Sequence, residues 1–235
     1  TATPRISHRH GRGMNNVAVF GPVIQNVPAP ELIEGGHILP PTIVPFETDH
    51  SVDKKNPHMV HSNTVQDIID QLDDTHASKV LVAVPSSRVL GNILGQTDLI
   101  HELSERGYDV LHVTSKFGAY VNRTKVSREV FFQTLTDWGK EKGRKFVLFH
   151  YSILSEGINV PGLTHCIMLR NLNVVEMAQT IGRVIRLDRE DATKLQSGEL
   201  TPCAWNFYNK PTGFVTVPVH RNYGKHVIKR LQRVV

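Results

Sequence analysis

The sequence predicts an α/β protein whose parallel sheet is covered by helices on both faces. Three observations predict it. Short runs such as KVLVAV (79–84) and KFVLFH (145–150) are apolar throughout, with none of the alternation of a half-exposed strand. Helix-patterned stretches separate them, which is the order of a parallel sheet with crossover helices. The chain has 235 residues, 40% hydrophobic and 21% charged, too apolar for a disordered chain and long enough for one full core.

The elements follow in order. Thr1 to Asn16 is rich in Arg, His, Gly and Asn and predicts no regular structure. Val17–Phe20 reads as a short strand. Pro28-Ala-Pro30 precedes a short helix over Glu31–Gly36, closed by glycine. Thr42–Phe46 reads as a strand, and Pro45 confines it to an edge or a strand end. Residues 47–61 are polar and loop-like. Ser62 is placed as the cap of a helix through Leu72, with Val65, Ile68, Ile69 and Leu72 on one face. The strand over 79–84 comes next, then helical sequence as far as Arg106-Gly107. Asp109–Val113 is a strand, followed by a polar stretch and a helix near Ser127–Lys142. Lys145–His150 and Thr164–Leu169 are strands, and Val174–Ile185 is a helix. Cys203–Tyr208 and Phe214–Val219 follow, then a final helix bearing Arg221, Lys225, Lys229 and Arg233 on one side. That basic stripe is read first as a solvated face.

Charge is unevenly spread. Residues 1–61 are neutral overall, 62–119 carry −4, 120–186 carry +5 and 187–235 carry +4. A basic C-terminal half suits a polyanion or a solvated surface equally well. Two cysteines do not make a disulfide scaffold. No apolar run approaches the roughly 20 residues of a membrane helix. The expected setting is intracellular, in the cytoplasm, nucleoid or nucleus, with no membrane partner. Among thirteen histidines, His8-x-His10 and His58-x-x-His61 are the closest pairs. Neither has a zinc-site context, and no metal ligand is assigned.

Two segments carry chemistry. Gln179-Thr-Ile-Gly182-Arg183-Val-Ile-Arg186 puts two arginines three apart on a helix, so their guanidinium groups emerge from nearly one face. Planar forks of this kind suit a phosphate, and Gly182 permits close backbone approach. Ser152-Ile-Leu-Ser-Glu-Gly157-Ile-Asn159-Val-Pro161 follows the strand ending at His150, at the carboxyl edge where α/β sheets bind ligands.

With the opening Thr1-Ala-Thr-Pro4, these segments resemble superfamily 2 nucleic-acid helicases and translocases. Thr1–Pro4 looks like motif III, SEGINVP (155–161) like motif V and QTIGRVIR (179–186) like motif VI. KVLVAVPSS (79–87) resembles the motif IV strand. Phe20–Ile24 with ELIEGGHILPP (31–41) resembles the lead into the second RecA-like domain of phage recombination, excision-repair and restriction-translocase types, and differs from the DEAD-box branch. The resemblance covers about residues 1–190.

It implies a RecA-like helicase C-terminal domain. Residues 1–25 would be the remnant of a first RecA-like domain and linker, 26–190 the second domain, and 191–235 a strand–helix extension packed on it. Arg183 and Arg186 would be arginine fingers reaching ATP with Mg2+, bound mainly by the first domain. Gln179, Gly157, Asn159 and Gly182 would lie near the nucleotide. Ser86, Ser87, Thr114 and Ser152 would contact a nucleic-acid backbone, DNA ahead of RNA. Asn159 stands where motif V has Asp, and Tyr151 where it has Thr.

A phosphate-cradling loop is missing: Gly139-Lys140 is followed by Glu and Gly224-Lys225 by His. Asp73-Asp-Thr-His76 and Glu47-Thr-Asp-His50 lack the Asp-Glu pair of a DExH box. The chain is therefore expected to be the C-terminal part of a larger ATP-dependent motor, inactive by itself. Two other readings stand beside this one: a nucleic-acid-binding module without ATP chemistry, and an unrelated α/β enzyme using histidine or a metal.

Overall fold

The computed structural model describes residues 13, 14, 16–48, 55–72, 78–151, 160–170, 172–219 and 229. Its eight strands are β1 (Pro41–Glu47), β2 (Lys79–Ala83), β3 (Asp109–Thr114), β4 (Gly118–Val121), β5 (Thr124–Val126), β6 (Phe146–His150), β7 (His165–Met168) and β8 (Gly213–Val219). The helices are α1 (Val17–Phe20), α2 (Ala29–Glu34), α3 (Pro57–Asp70), α4 (Ser87–Gln96), α5 (Leu99–Glu105), α6 (Arg128–Lys140), α7 (Val174–Val184) and α8 (Arg189–Ser197). The strands form one sheet in the order β1-β8-β7-β2-β6-β3-β4-β5. Neighbours from β1 to β3 are parallel, while β4 is antiparallel to both β3 and β5.

All five residues of β2 and of β6 are buried, as their unbroken apolar runs require. Alternate side chains feed two cores. Leu81, Leu111, Leu148, Cys166 and Val215 meet α6 and α7 on one face through Phe131, Leu135, Met177, Ile181 and Val184. Val80, Val82, Val147, Phe149 and Ile167 meet α3, α4 and α5 on the other through Val65, Ile68, Leu90, Ile93 and Leu103. The predicted two-sided architecture is thus observed. Pro45 also sits where its missing N–H demands, in the edge strand β1.

Several local expectations give way. Val17–Phe20 is a helical turn, because Asn16 caps it by accepting the Ala18 N–H at 3.2 Å and no strand among the described residues pairs with it to reward β-branched residues. α3 starts five residues before Ser62, with Pro57 in its first turn. The Ser62 hydroxyl donates to Thr97 Oγ1 at 3.1 Å instead of capping. The polar stretch after β3 is a hairpin. Asn122 and Arg123 take φ of 45° and 69°, the left-handed pair that a tight two-residue turn needs. Helical sequence before Arg106 divides into α4 and α5.

Cys203–Tyr208 contains only a 3-10 turn at Trp205–Phe207. α8 follows motif VI, capped by Asp188 and closed by Gly198 at φ 78°. β8 belongs to the stretch set apart as an extension, yet it is an inner strand between β1 and β7. The expected final helix lies outside the described residues except for Lys229.

Candidate functional site

The site is built on α7. Asn173 caps it, accepting the Glu176 N–H at 2.9 Å, while Glu176 returns the bond to the Asn173 N–H at 3.3 Å. Met177, Ile181 and Val184 are the buried stripe that fixes the helix on β7 and β8. Its N-terminus follows the carboxyl end of β7. Its C-terminus meets the start of β8, where a Cβ on Gly213 would stand 2.3 Å from the Val184 carbonyl oxygen. α7 therefore runs the full depth of the sheet.

Gln179 is half-buried, one turn before Arg183. Arg183 is only 7% exposed, and burial first, then the Arg186 charge, lowers its affinity for its proton. Arg186 is exposed, just past the helix end. A Cβ on Gly182 would meet nothing within 4 Å. Glycine costs about 1 kcal/mol against alanine inside a helix, so the described fold gives no packing reason for it.

Three neighbours escaped the sequence reading. His150 ends β6 and is 5% exposed, with neither ring nitrogen hydrogen-bonded. Burial, then Arg170 and Arg183, pushes it down to about 3. Arg170, directly after β7, lies 4.8 Å from the Tyr151 ring centre and 3.6 Å from Glu176. Lys210 donates to the Arg186 carbonyl at 2.8 Å. None of the three belongs to a motif. Only the fold gathers them, although His150 was visible as the one polar residue closing an apolar strand.

His150 has a consequence for stability in acid. The unfolded chain's histidine protonates near pH 6.5, whereas the folded one resists until about 3. Between those values the unfolded state holds the extra proton, so stability falls as pH falls. His150→Leu is expected to flatten this limb by about 1.4 kcal/mol per pH unit around pH 4–5.5. Denaturant melts across that range check it, and an unchanged slope would refute it.

Three of the residues expected to contact nucleic acid, Ser86, Ser87 and Thr114, lie at the carboxyl edge of the sheet. Ser86 follows β2 and caps α4 by accepting the Val89 N–H at 3.1 Å, and Ser87 is the first residue of that helix. Thr114 is 4% exposed, and its hydroxyl accepts the Phe117 N–H at 2.9 Å. Thr1–Pro4, Ser152, Gly157 and Asn159 lie outside the described residues.

A parallel sheet covered on both faces, with an arginine-bearing helix laid across it from the carboxyl edge, defines a RecA-like domain of the helicase type. The model of the helicase conserved C-terminal domain matches residues 62–188, more than half of the chain, and the chain belongs to that family. Among solved structures it is similar to the ATP-dependent Type ISP restriction-modification enzyme LlaBIII bound to DNA. That match has 12% identity and a TM-score of 0.56, covering 100% of this chain and 17% of that one. It is also similar to a fragment assigned as an HsdR subunit of a type I restriction enzyme from Vibrio vulnificus. Here identity is 18% and the TM-score 0.56, covering 87% of this chain and 36% of the other. The chain thus spans well under half the length of these relatives, and at such identities the likeness concerns the fold. No curated protein matches in sequence.

Proposed function

We propose that this domain is the second half of an ATP-driven nucleic-acid motor. A first RecA-like domain of the same protein would hold ATP with Mg2+. Arg183 and Arg186 would reach its phosphates when the two domains close. The observation that carries this reading is the pair of arginines at the end of α7, Arg183 in its last turn and Arg186 just past its cap. One is sunk into the fold and electrostatically opposed by the other. Anionic oxygens relieve that opposition, and planar guanidinium groups match phosphate geometry.

The donor set fits polyphosphate oxygens. Among the described residues no group of three or more His, Cys, Asp or Glu gathers to hold a metal ion. This reading therefore gives the ion to carboxylates of the first domain. Gln179 and Gly182 share the arginine helix, and Gly157 and Asn159 complete the proposed nucleotide side.

On the nucleic-acid side, Ser86 keeps its hydroxyl proton for a phosphate while capping α4, Ser87 and Thr114 share the carboxyl edge, and Ser152 is assigned the same role from its motif. Backbone contacts of this kind bind without reading sequence and weaken steeply with salt. DNA is favoured over RNA, in line with the LlaBIII structure, whose chain is bound to DNA. The setting is intracellular, in the cytoplasm, nucleoid or nucleus.

The test is ATP hydrolysis by the protein carrying this domain, measured with duplex DNA, single-stranded DNA and RNA. Stimulation of about tenfold or more by DNA is expected, fading between 50 and 200 mM salt as phosphate contacts are screened. Stimulation by RNA alone would reverse the partner assignment. Binding with no hydrolysis would leave the alternative, a RecA-like binding module without ATPase activity.

A further inference from the structure

The last turn of α7 is held from outside the helix. The carbonyls that close a helix have no partner within it. Here the cap residue Ile185 and Arg186 after it offer carbonyls that find donors far away in sequence. The Ile185 carbonyl accepts the Leu39 N–H at 2.8 Å, and the Arg186 carbonyl accepts Lys210 Nζ at 2.8 Å.

The loop that presents Lys210 is itself fixed. Asp191 of α8 is 1% exposed, and its two carboxylate oxygens accept the Asn209 and Lys210 N–H groups, each at 3.0 Å. Thr212 Oγ1 donates to the Pro40 carbonyl at 2.6 Å, tying the same loop to the segment before β1. Lys210 is 8% exposed, a costly place for an ammonium group. Its surroundings are mixed: Asp188 and Asp191 attract it, whereas Arg186 and Lys79 repel it. Burial dominates and brings it down to about 7. An apolar side chain of similar volume fills such a space at less cost, so packing alone does not account for a lysine.

What the ammonium does is grip the backbone of one residue. Arg186 lies just beyond the C-cap Ile185, where backbone frays most readily, and the residue is exposed. Holding its carbonyl fixes the plane of the peptide that follows and restrains the direction in which the side chain leaves the helix.

We propose that Lys210 is a positioning residue for Arg186, clamping the Arg186 carbonyl so that the guanidinium is aimed before ATP arrives. The proposal rests on the reading of Arg186 as an ATP-directed group. It makes α8 and the loop before β8 part of the motor's aiming device.

The test uses the protein carrying this domain. Lys210→Met keeps the length and removes the donor, and Lys210→Arg restores a donor. Without nucleotide, amide exchange at Ile185 and Leu39 is expected to quicken about tenfold in Lys210→Met, the loss of one charge-assisted bond, with β2 and β6 unchanged. Lys210→Arg is expected to recover most of that protection.

In turnover, Lys210→Met is expected to lower kcat about 10- to 100-fold while KM for ATP stays within about twofold, as misplacement of about 1 Å does. Combined with Arg186→Ala it is expected to add no further loss, since it acts through Arg186. Unchanged exchange at Ile185 and Leu39, or losses that multiply in the double variant, would overturn the clamp. Normal turnover in Arg186→Ala alone would instead overturn the ATP-directed reading, and amide exchange would still decide the clamp. If Lys210→Met does not fold, Lys210→Leu, shorter and likewise without a donor, takes its place with the same expectations.

Discussion

Replacing Arg186 by alanine in the protein that carries this domain is expected to cut nucleic-acid-stimulated ATP hydrolysis by about 10³-fold or more, with ATP affinity nearly unchanged. The split follows from where the charge acts. On the proposed reading, an arginine that arrives on domain closure would add little to ground-state binding, which a first domain would supply. In the transition state, charge spreads over the transferred phosphoryl oxygens, and a guanidinium fork there contributes most. Arg186 suits that role better than Arg183 because it is exposed while Arg183 is 7% exposed. Arg183→Ala would also open a hole beside His150, so its phenotype would mix stability with chemistry. Steady-state kinetics with a nucleotide-binding titration separate the two effects for Arg186→Ala. Turnover near that of the parent would remove Arg186 from the reaction.

Gly213→Ala is expected to destabilise the domain by about 3 kcal/mol, at the upper end of overpacking costs. The added Cβ would lie 2.3 Å from the Val184 carbonyl oxygen, 2.7 Å from its carbon and 3.1 Å from the Ile185 nitrogen. Every one of these is backbone, so no side chain can swing away. The strand cannot yield either, because β8 is paired on both sides and the Gly213 N–H donates to the Pro40 carbonyl at 3.3 Å. Nor can α7 easily retreat, with Met177, Ile181 and Val184 buried beneath it. The melting temperature should fall by about 10 °C. Gly95→Ala in α4 is the control, because its Cβ would meet nothing within 4 Å. A Gly213→Ala protein that melts with its parent would show that the end of α7 is looser than the contact distances imply.

The sheet was legible wherever burial is two-sided. KVLVAV and KFVLFH leave no polar face for a helix or an edge strand, and they became the adjoining central strands β2 and β6. Legibility failed where a local turn outweighed composition. Val17–Phe20 looks strand-like by side chain but has no described strand to join. Asn122-Arg123 lacks the glycine that usually marks a tight hairpin, and its left-handed backbone is supported by Asn122 Oδ1 accepting the Val110 N–H at 2.8 Å.

In the site, the arginine pair was readable as a spacing, but the helix ends at Val184, which leaves Arg183 buried in its last turn and Arg186 exposed beyond the cap. Lys210 was not, since 24 residues separate it from Arg186 and its neighbours Asn209 and Pro211 carry no motif. Nor was the pairing of Arg170 with Glu176, which depends on a strand end and a helix start meeting across a loop.

The order β1-β8-β7 has a consequence for synthesis. β1 is complete at Glu47, yet among the described residues its one pairing partner is β8, which ends at Val219. At translation speeds of 5–20 residues per second, β1 waits about 10–30 s for that partner. Once β7 is made, it too presents an open flank until β8 arrives, a template for pairing with the wrong chain. The end of the arginine helix gains Lys210 and Gly213 only as this gap is filled. The nascent chain therefore fixes the end of α7 late, after the other described strands of the sheet have had time to form.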